Sequence, residues 1–145
     1  MEPISALSII SASLGLVQKL SKVIAQIHNL QSTYKHAELS LQSLSSQCRT
    51  LRLTVSCIRK DLQARQHTAE ASISDAVATE LQDNLETSEK VLSGLEKELE
   101  SVNEKDVGIS RNTKVVWETN CLKEHENRVR GQIHCWTLLL QILDR

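Results

Sequence analysis

The sequence predicts an all-α protein, an up-down four-helix bundle of long antiparallel helices forming a single domain over residues 1–145. Three observations carry this expectation. Pro occurs once, Gly four times and Phe never, which leaves few of the turns that an all-β fold requires. Apolar residues recur at alternating steps of three and four through four segments of nearly equal length. The breaks between segments are short, and short connections between long helices make antiparallel neighbours.

The first helix is expected over about residues 3–31, with Pro3 in the first turn, where its missing N–H costs no intrahelical bond. Ile4, Leu7, Ile10, Leu14, Val17, Ser21, Ile24 and Ile27 form its stripe, widened by Ile9, Leu16, Leu20, Val23 and Leu30. No charged residue lies between Glu2 and Lys19, and Ser5, Ser8, Ser11 and Ser13 add a narrow hydroxyl stripe to a very wide apolar face. After the polar break STYKH, a helix over about 37–65 carries the cleanest stripe, Leu41, Leu44, Cys48, Leu51, Val55, Ile58 and Leu62. The third, over about 70–103, has Val77, Leu81, Leu85, Ser88, Leu92, Leu95, Leu99 and Val102, with Glu80, Asp83, Glu86, Glu89, Glu96 and Glu100 on a solvated face. Gly108 suits the following loop, and Ser110 or Asn112 is placed to cap a fourth helix over about 112–144. That helix presents Val115, Thr119, Leu122, Glu126, Val129, Ile133, Trp136, Leu140 and Leu143, and its closing CWTLLLQIL is apolar on nearly every side.

Charge is unevenly spread although the net value is −1: residues 1–59 hold six basic and two acidic side chains, and residues 60–106 hold five and twelve. Basic residues are nowhere dense, and the few aromatics are not interleaved with them, so nucleic acid is not an expected partner. Cys48, Cys57, Cys121 and Cys135 are far apart and read as small buried thiols in a reducing compartment, with the protein in the cytoplasm. The opening lacks the basic n-region of a secretory signal, and its first arginine is Arg49, too late for a mitochondrial presequence. The uncharged run from Pro3 to Gln18 is short for the ~20 apolar residues of a constitutive span.

Catalytic chemistry is not expected. His134 with Cys135, and Cys48 with Cys57, lack the spacing that puts two ligands on one side of a metal ion, so no metal is expected. His125 and Glu126 sit among Glu124, Arg128 and Arg130, where the i,i+4 pairs Glu124/Arg128 and Glu126/Arg130 account for the charges. The glycines at 15, 94, 108 and 131 form no phosphate loop. The serines have no neighbouring base to activate them. Neither a cofactor nor a small-molecule substrate is expected.

Two stretches are more specific. Met1-Glu2-Pro3-Ile4-Ser5-Ala6-Leu7, followed by Ser8-Ile9-Ile10-Ser11-Ala12, resembles the M-[DE]-P-[LI]-S opening of the fungal N-terminal domains ahead of NACHT or related switch modules in STAND (NLR-like) proteins. Val115-Val116-Trp117, Leu122-Lys123, Arg130-Gly131-Gln132-Ile133 and the closing Leu138-Leu139-Leu140-Gln141-Ile142-Leu143 look like the last helix of the same group. The group includes the domain type named after an azaphilone pigment cluster protein and is similar to HeLo-like cell-death domains. The resemblance implies a non-enzymatic effector domain whose first helix leaves the bundle and enters membrane when a NACHT-type switch region, in cis or in trans, oligomerises. The matching positions are Ile4, Leu7, Ile9, Ile10, Leu14, Leu16 and Val17. It further implies self-association and recruitment to an anionic plasma membrane.

A second expectation, from a different class, is a helical adaptor or oligomerisation module. Its docking residues would be Trp117, Trp136, Leu138, Leu139 and Ile142, and it would need no lipid.

Overall fold

The computed structural model describes residues 6–33, 38–66, 73–104 and 111–144; the side chains of 33, 38, 102–104 and 111–121 are outside that description. Four helices account for these residues: α1 (Ala6–Thr33), α2 (Glu38–Arg65), α3 (Asp75–Glu104) and α4 (Arg111–Leu143). Pro3, Ile4, Ser5, Gly108 and Ser110 lie outside the described residues, as do the side chains of Val102, Asn112, Val115, Trp117, Thr119 and Cys121. The start of α3 falls at Asp75, later than residue 70, because Ser74 caps it. The Ser74 Oγ accepts from the Val77 N–H at 3.2 Å, and its carbonyl accepts from the Ala78 N–H at 3.0 Å.

All seven stripe residues of α2 are buried, as are Leu81, Leu85, Ser88, Leu92, Leu95 and Leu99 of α3. In α1 the seam runs through Ile9, Ser13, Leu16, Leu20, Val23, Ile27 and Leu30, whereas Leu7, Leu14 and Ser21 are exposed. Of the stripe expected as primary, Ile10, Ile24 and Ile27 are buried and Val17 is half-buried, while all five residues expected to widen it are buried. Ser13 fits this seam by donating its hydroxyl to the Ile9 carbonyl at 2.7 Å, so no polar hydrogen is stranded in the core.

Substantial contacts join α1 to α2, α2 to α4, α4 to α3 and α3 to α1, so α1 and α4 lie on one diagonal and α2 and α3 on the other. Chain direction alternates, as an up-down bundle requires. Only α1·α2 and α3·α4 are antiparallel interfaces. Along α1·α3, Lys19 meets Glu89 and Lys22 meets Glu96, numbers rising together, so that pair runs parallel. Along α2·α4, Gln47 meets Glu126 and Arg130 while Arg65 meets Leu143, which makes it parallel too. The first turn of α1 and the last turns of α2 and α4 consequently share one end of the bundle.

Candidate functional site

The expected membrane-facing residues of α1 separate by burial. Ile9, Ile10 and Leu16 are core, Val17 is half-buried against it, and Leu7 and Leu14 stand 64% and 38% exposed. Around these two, Ser8, Ser11, Ala12, Gly15 and Gln18 are also exposed, so the outer face of the first half of α1 bears no charge. The helix as a whole is long and apolar enough to cross a membrane, over Ala6–Ser32, by length and composition. It is also stitched to the bundle by eight buried large apolar side chains: Ile9, Ile10, Leu16, Leu20, Val23, Ile24, Ile27 and Leu30.

A shallow groove of about 530 Å³ runs between α1 and α2, lined by Leu7, Ser8, Ile10, Ser11, Leu14 and Arg59. The opposite edge of α1 is tied to the acidic face of α3. Lys19 Nζ lies 2.8 Å from Glu89 Oε1 and also donates to Ser93 Oγ, and Lys22 Nζ lies 2.6 Å from Glu96 Oε1. The hydrogen bond and charge of Glu96 raise the pKa of Lys22, and the same bond to Lys22 lowers that of Glu96 against the opposing effect of burial.

The expected docking residues of α4 separate as well. Trp136 is fully buried, contrary to a surface role, with its Nε1–H donating to Ser88 Oγ at 2.9 Å. Ser88 in turn donates to Gln132 Oε1 at 2.7 Å, a relay that explains a serine in the α3 seam. Leu139 is core, Trp117 is outside the described side chains, and only Leu138 and Ile142 remain at the surface, 50% and 52% exposed. Cys135 is exposed one turn before Leu138. Arg65 closes this end by donating to the Leu143 carbonyl, one of the last-turn acceptors that the helix leaves unsatisfied.

Several smaller expectations are corrected. His125, read only as sitting among charged residues, is buried where the stripe was expected to place Glu126. Its Nε2–H donates to Glu98 Oε2 across α3·α4 at 2.7 Å, and its Nδ1 has no partner among the described residues. The signal available in the sequence was an imidazole three residues after Leu122 and four before Val129. Glu124 does pair with Arg128, but Arg130 turns to the Gln47 amide, which also donates to the Glu126 carbonyl at 2.8 Å. Of the thiols, Cys48 is buried, and burial pushes its pKa up to about 12, whereas Cys57 and Cys135 are exposed. Among the described residues no group of three His, Cys, Asp or Glu side chains is placed to hold a metal ion.

No family model, curated protein or solved structure matches the chain.

Proposed function

We propose that this bundle is a non-enzymatic signalling and effector domain of the fungal NLR-like type, latent in the closed state, whose first helix engages membrane when clustered by a NACHT-type switch region. Its class would be that of cell-death and heterokaryon-incompatibility effectors, cytoplasmic at rest and recruited to the plasma membrane. The observation that supports this reading is the uncharged outer face of α1 around exposed Leu7 and Leu14, on a helix of bilayer-crossing length. Removing the eight buried side chains of α1 from their neighbours forfeits roughly 2 kcal/mol each, which matches or exceeds the ~5–15 kcal/mol stability of a whole domain. The helix therefore stays docked unless lipid replaces those contacts. An oligomer with Ser8 and Ser11 turned to a wet lumen would also shelter their hydroxyls.

A second reading, an adaptor that docks a protein helix, is favoured by the exposed pair Leu138 and Ile142, which follow exposed Cys135 at helical spacing on the outer side of α4. One experiment separates the two. Purified protein is sedimented with and without anionic liposomes, comparing wild type with a Leu7→Glu, Leu14→Glu double variant whose fold is checked by circular dichroism. Both positions are exposed, so the double variant keeps the core intact, as a change at buried Ile10 would not. Wild type pelleting with lipid, and the folded variant remaining in solution, supports the membrane effector. Neither pelleting, with self-association in lipid-free buffer that Leu138→Glu abolishes, replaces it by the adaptor.

A further inference from the structure

One of the buried polar groups without a partner among the described residues belongs to Arg59, on the wall of the α1–α2 groove. Its Nε is buried and has no hydrogen-bond partner among the described residues. The cause is a mismatch of register. One heptad earlier on α2, Arg52 donates Nη1 to Ser21 Oγ of α1 at 3.1 Å. On antiparallel helices, seven residues forward along one correspond to seven back along the other, so Arg59 meets Leu14 where Arg52 meets Ser21. Leucine offers no acceptor, and Arg59 is left beside the apolar floor formed by Leu7, Ile10 and Leu14.

Neither helix supplies a carboxylate to replace the missing serine. α1 carries Lys19 and Lys22 and no acidic residue over Ala6–Thr33. The acids of α2 are Glu38, at its far end, and Asp61, which accepts from Arg65 Nε at 2.7 Å. A buried guanidinium donor without an acceptor is costly, and a phosphate oxygen is a preferred acceptor for it.

We propose that Arg59 forms a subsite for the phosphate of an anionic phospholipid, with the acyl region of the bilayer meeting Leu7 and Leu14 beside it. A bilayer surface is favoured as the occupant because it presents an anion and an apolar layer together, matching a cation set against exposed leucines, while the acidic face of α3 lies on the other side of α1. This inference rests on the membrane reading above and adds the headgroup chemistry and the residue that recognises it.

The test titrates the folded protein with phosphatidylcholine vesicles, with and without phosphatidylserine, for wild type, Arg59→Gln, Lys60→Gln and the Leu7→Glu, Leu14→Glu variant. Lys60 is the matched control, an exposed neighbour whose loss removes the same charge. Arg59→Gln is expected to weaken binding to phosphatidylserine vesicles about fivefold, the value of one well-placed cation, while Lys60→Gln changes it much less and neither lowers thermal stability. Equal losses for Arg59→Gln and Lys60→Gln would show diffuse attraction and overturn the subsite while leaving membrane binding in place. Binding that ignores phosphatidylserine has the same meaning. No binding of wild type to either vesicle overturns both, and Arg59-dependent capture of polyglutamate in that case would point to an acidic protein partner.

Discussion

The two most apolar stretches of the chain, the opening of α1 and the closing turns of α4, look alike in composition and are held in different ways. The α4 tail is fastened by the buried bond of the Trp136 indole to Ser88 and by the part-buried bonds of Ser88 to Gln132 and of Arg65 to the Leu143 carbonyl. The polar attachments of α1 lie nearer the rim: Lys19 to Glu89 and Lys22 to Glu96, each with one partner more than half exposed, the Lys19 bond to Ser93, and the exposed bond of Arg52 to Ser21. Rim pairs contribute little to stability and are screened by salt, whereas a buried donor that loses its acceptor is penalised in full. The comparison makes α1 the more weakly tethered of the two by polar bonds. What retains it is chiefly apolar burial, a kind of contact that lipid can replace.

The strongest challenge to this contrast is deletion of the α4 anchor. Trp136→Ala removes a fully buried indole and the N–H that Ser88 Oγ accepts, so a loss of about 3–5 kcal/mol is expected from urea denaturation. Leu138→Ala, two residues on and half exposed, should stay within about 0.5 kcal/mol of wild type. Comparable effects at the two positions would mean that the tail packs against something other than this bundle.

A smaller effect isolates the polar relay. Ser88→Ala leaves the Trp136 N–H without an acceptor and Gln132 without a donor, at a cost of about 1–3 kcal/mol, with little change in packed volume. Trp136 should then show altered fluorescence while the far-UV circular dichroism of the four helices is retained. No change in stability would remove the relay from the account of why α4 is the firmer end.

How much of this was legible in the sequence depended on how far apolar spacing alone singled out one face. In α2 it did so, and the stripe from Leu41 to Leu62 was read without error. In α1 Ile10, Ile24 and Ile27 were read as core and are, but Leu7, Leu14 and Ser21 were placed in the stripe where Ser13 belongs, whose local bond to the Ile9 carbonyl is invisible to hydropathy. His125 escaped for the same reason: an imidazole satisfied by Glu98 from another helix reads as surface when only its own helix is considered. The wiring around the bundle was not legible from apolar periodicity at all, since several arrangements bury the same stripes. Complementary charge offered the available hint, Lys19 and Lys22 on a helix without acids facing the acid-rich α3. Leu7 and Leu14 were named as membrane-facing alongside Ile9, Ile10 and Leu16, and burial was needed to divide them.

The smallest expected effect tests the α1 tether itself. Glu96 titrates below its ordinary value of 4.5 because Lys22 hydrogen-bonds and attracts its charged form. Its share of the pair's stabilisation is therefore present above that ordinary value and is lost as pH falls through the lowered folded-state value. Lys22 titrates above its ordinary 10.5 because of the same bond, so its share is present below that value and is lost as pH rises through the raised one. Between the two limits the pair's contribution is independent of pH. The difference in urea midpoint between wild type and Lys22→Gln should accordingly be small and flat across neutral pH, shrink at both extremes and diminish with added salt. The same variant should release α1 to anionic lipid at lower protein density if the rim pairs oppose its departure. A variant that matches wild type in urea midpoint at every pH would remove the Lys22–Glu96 pair from the restraints on the first helix.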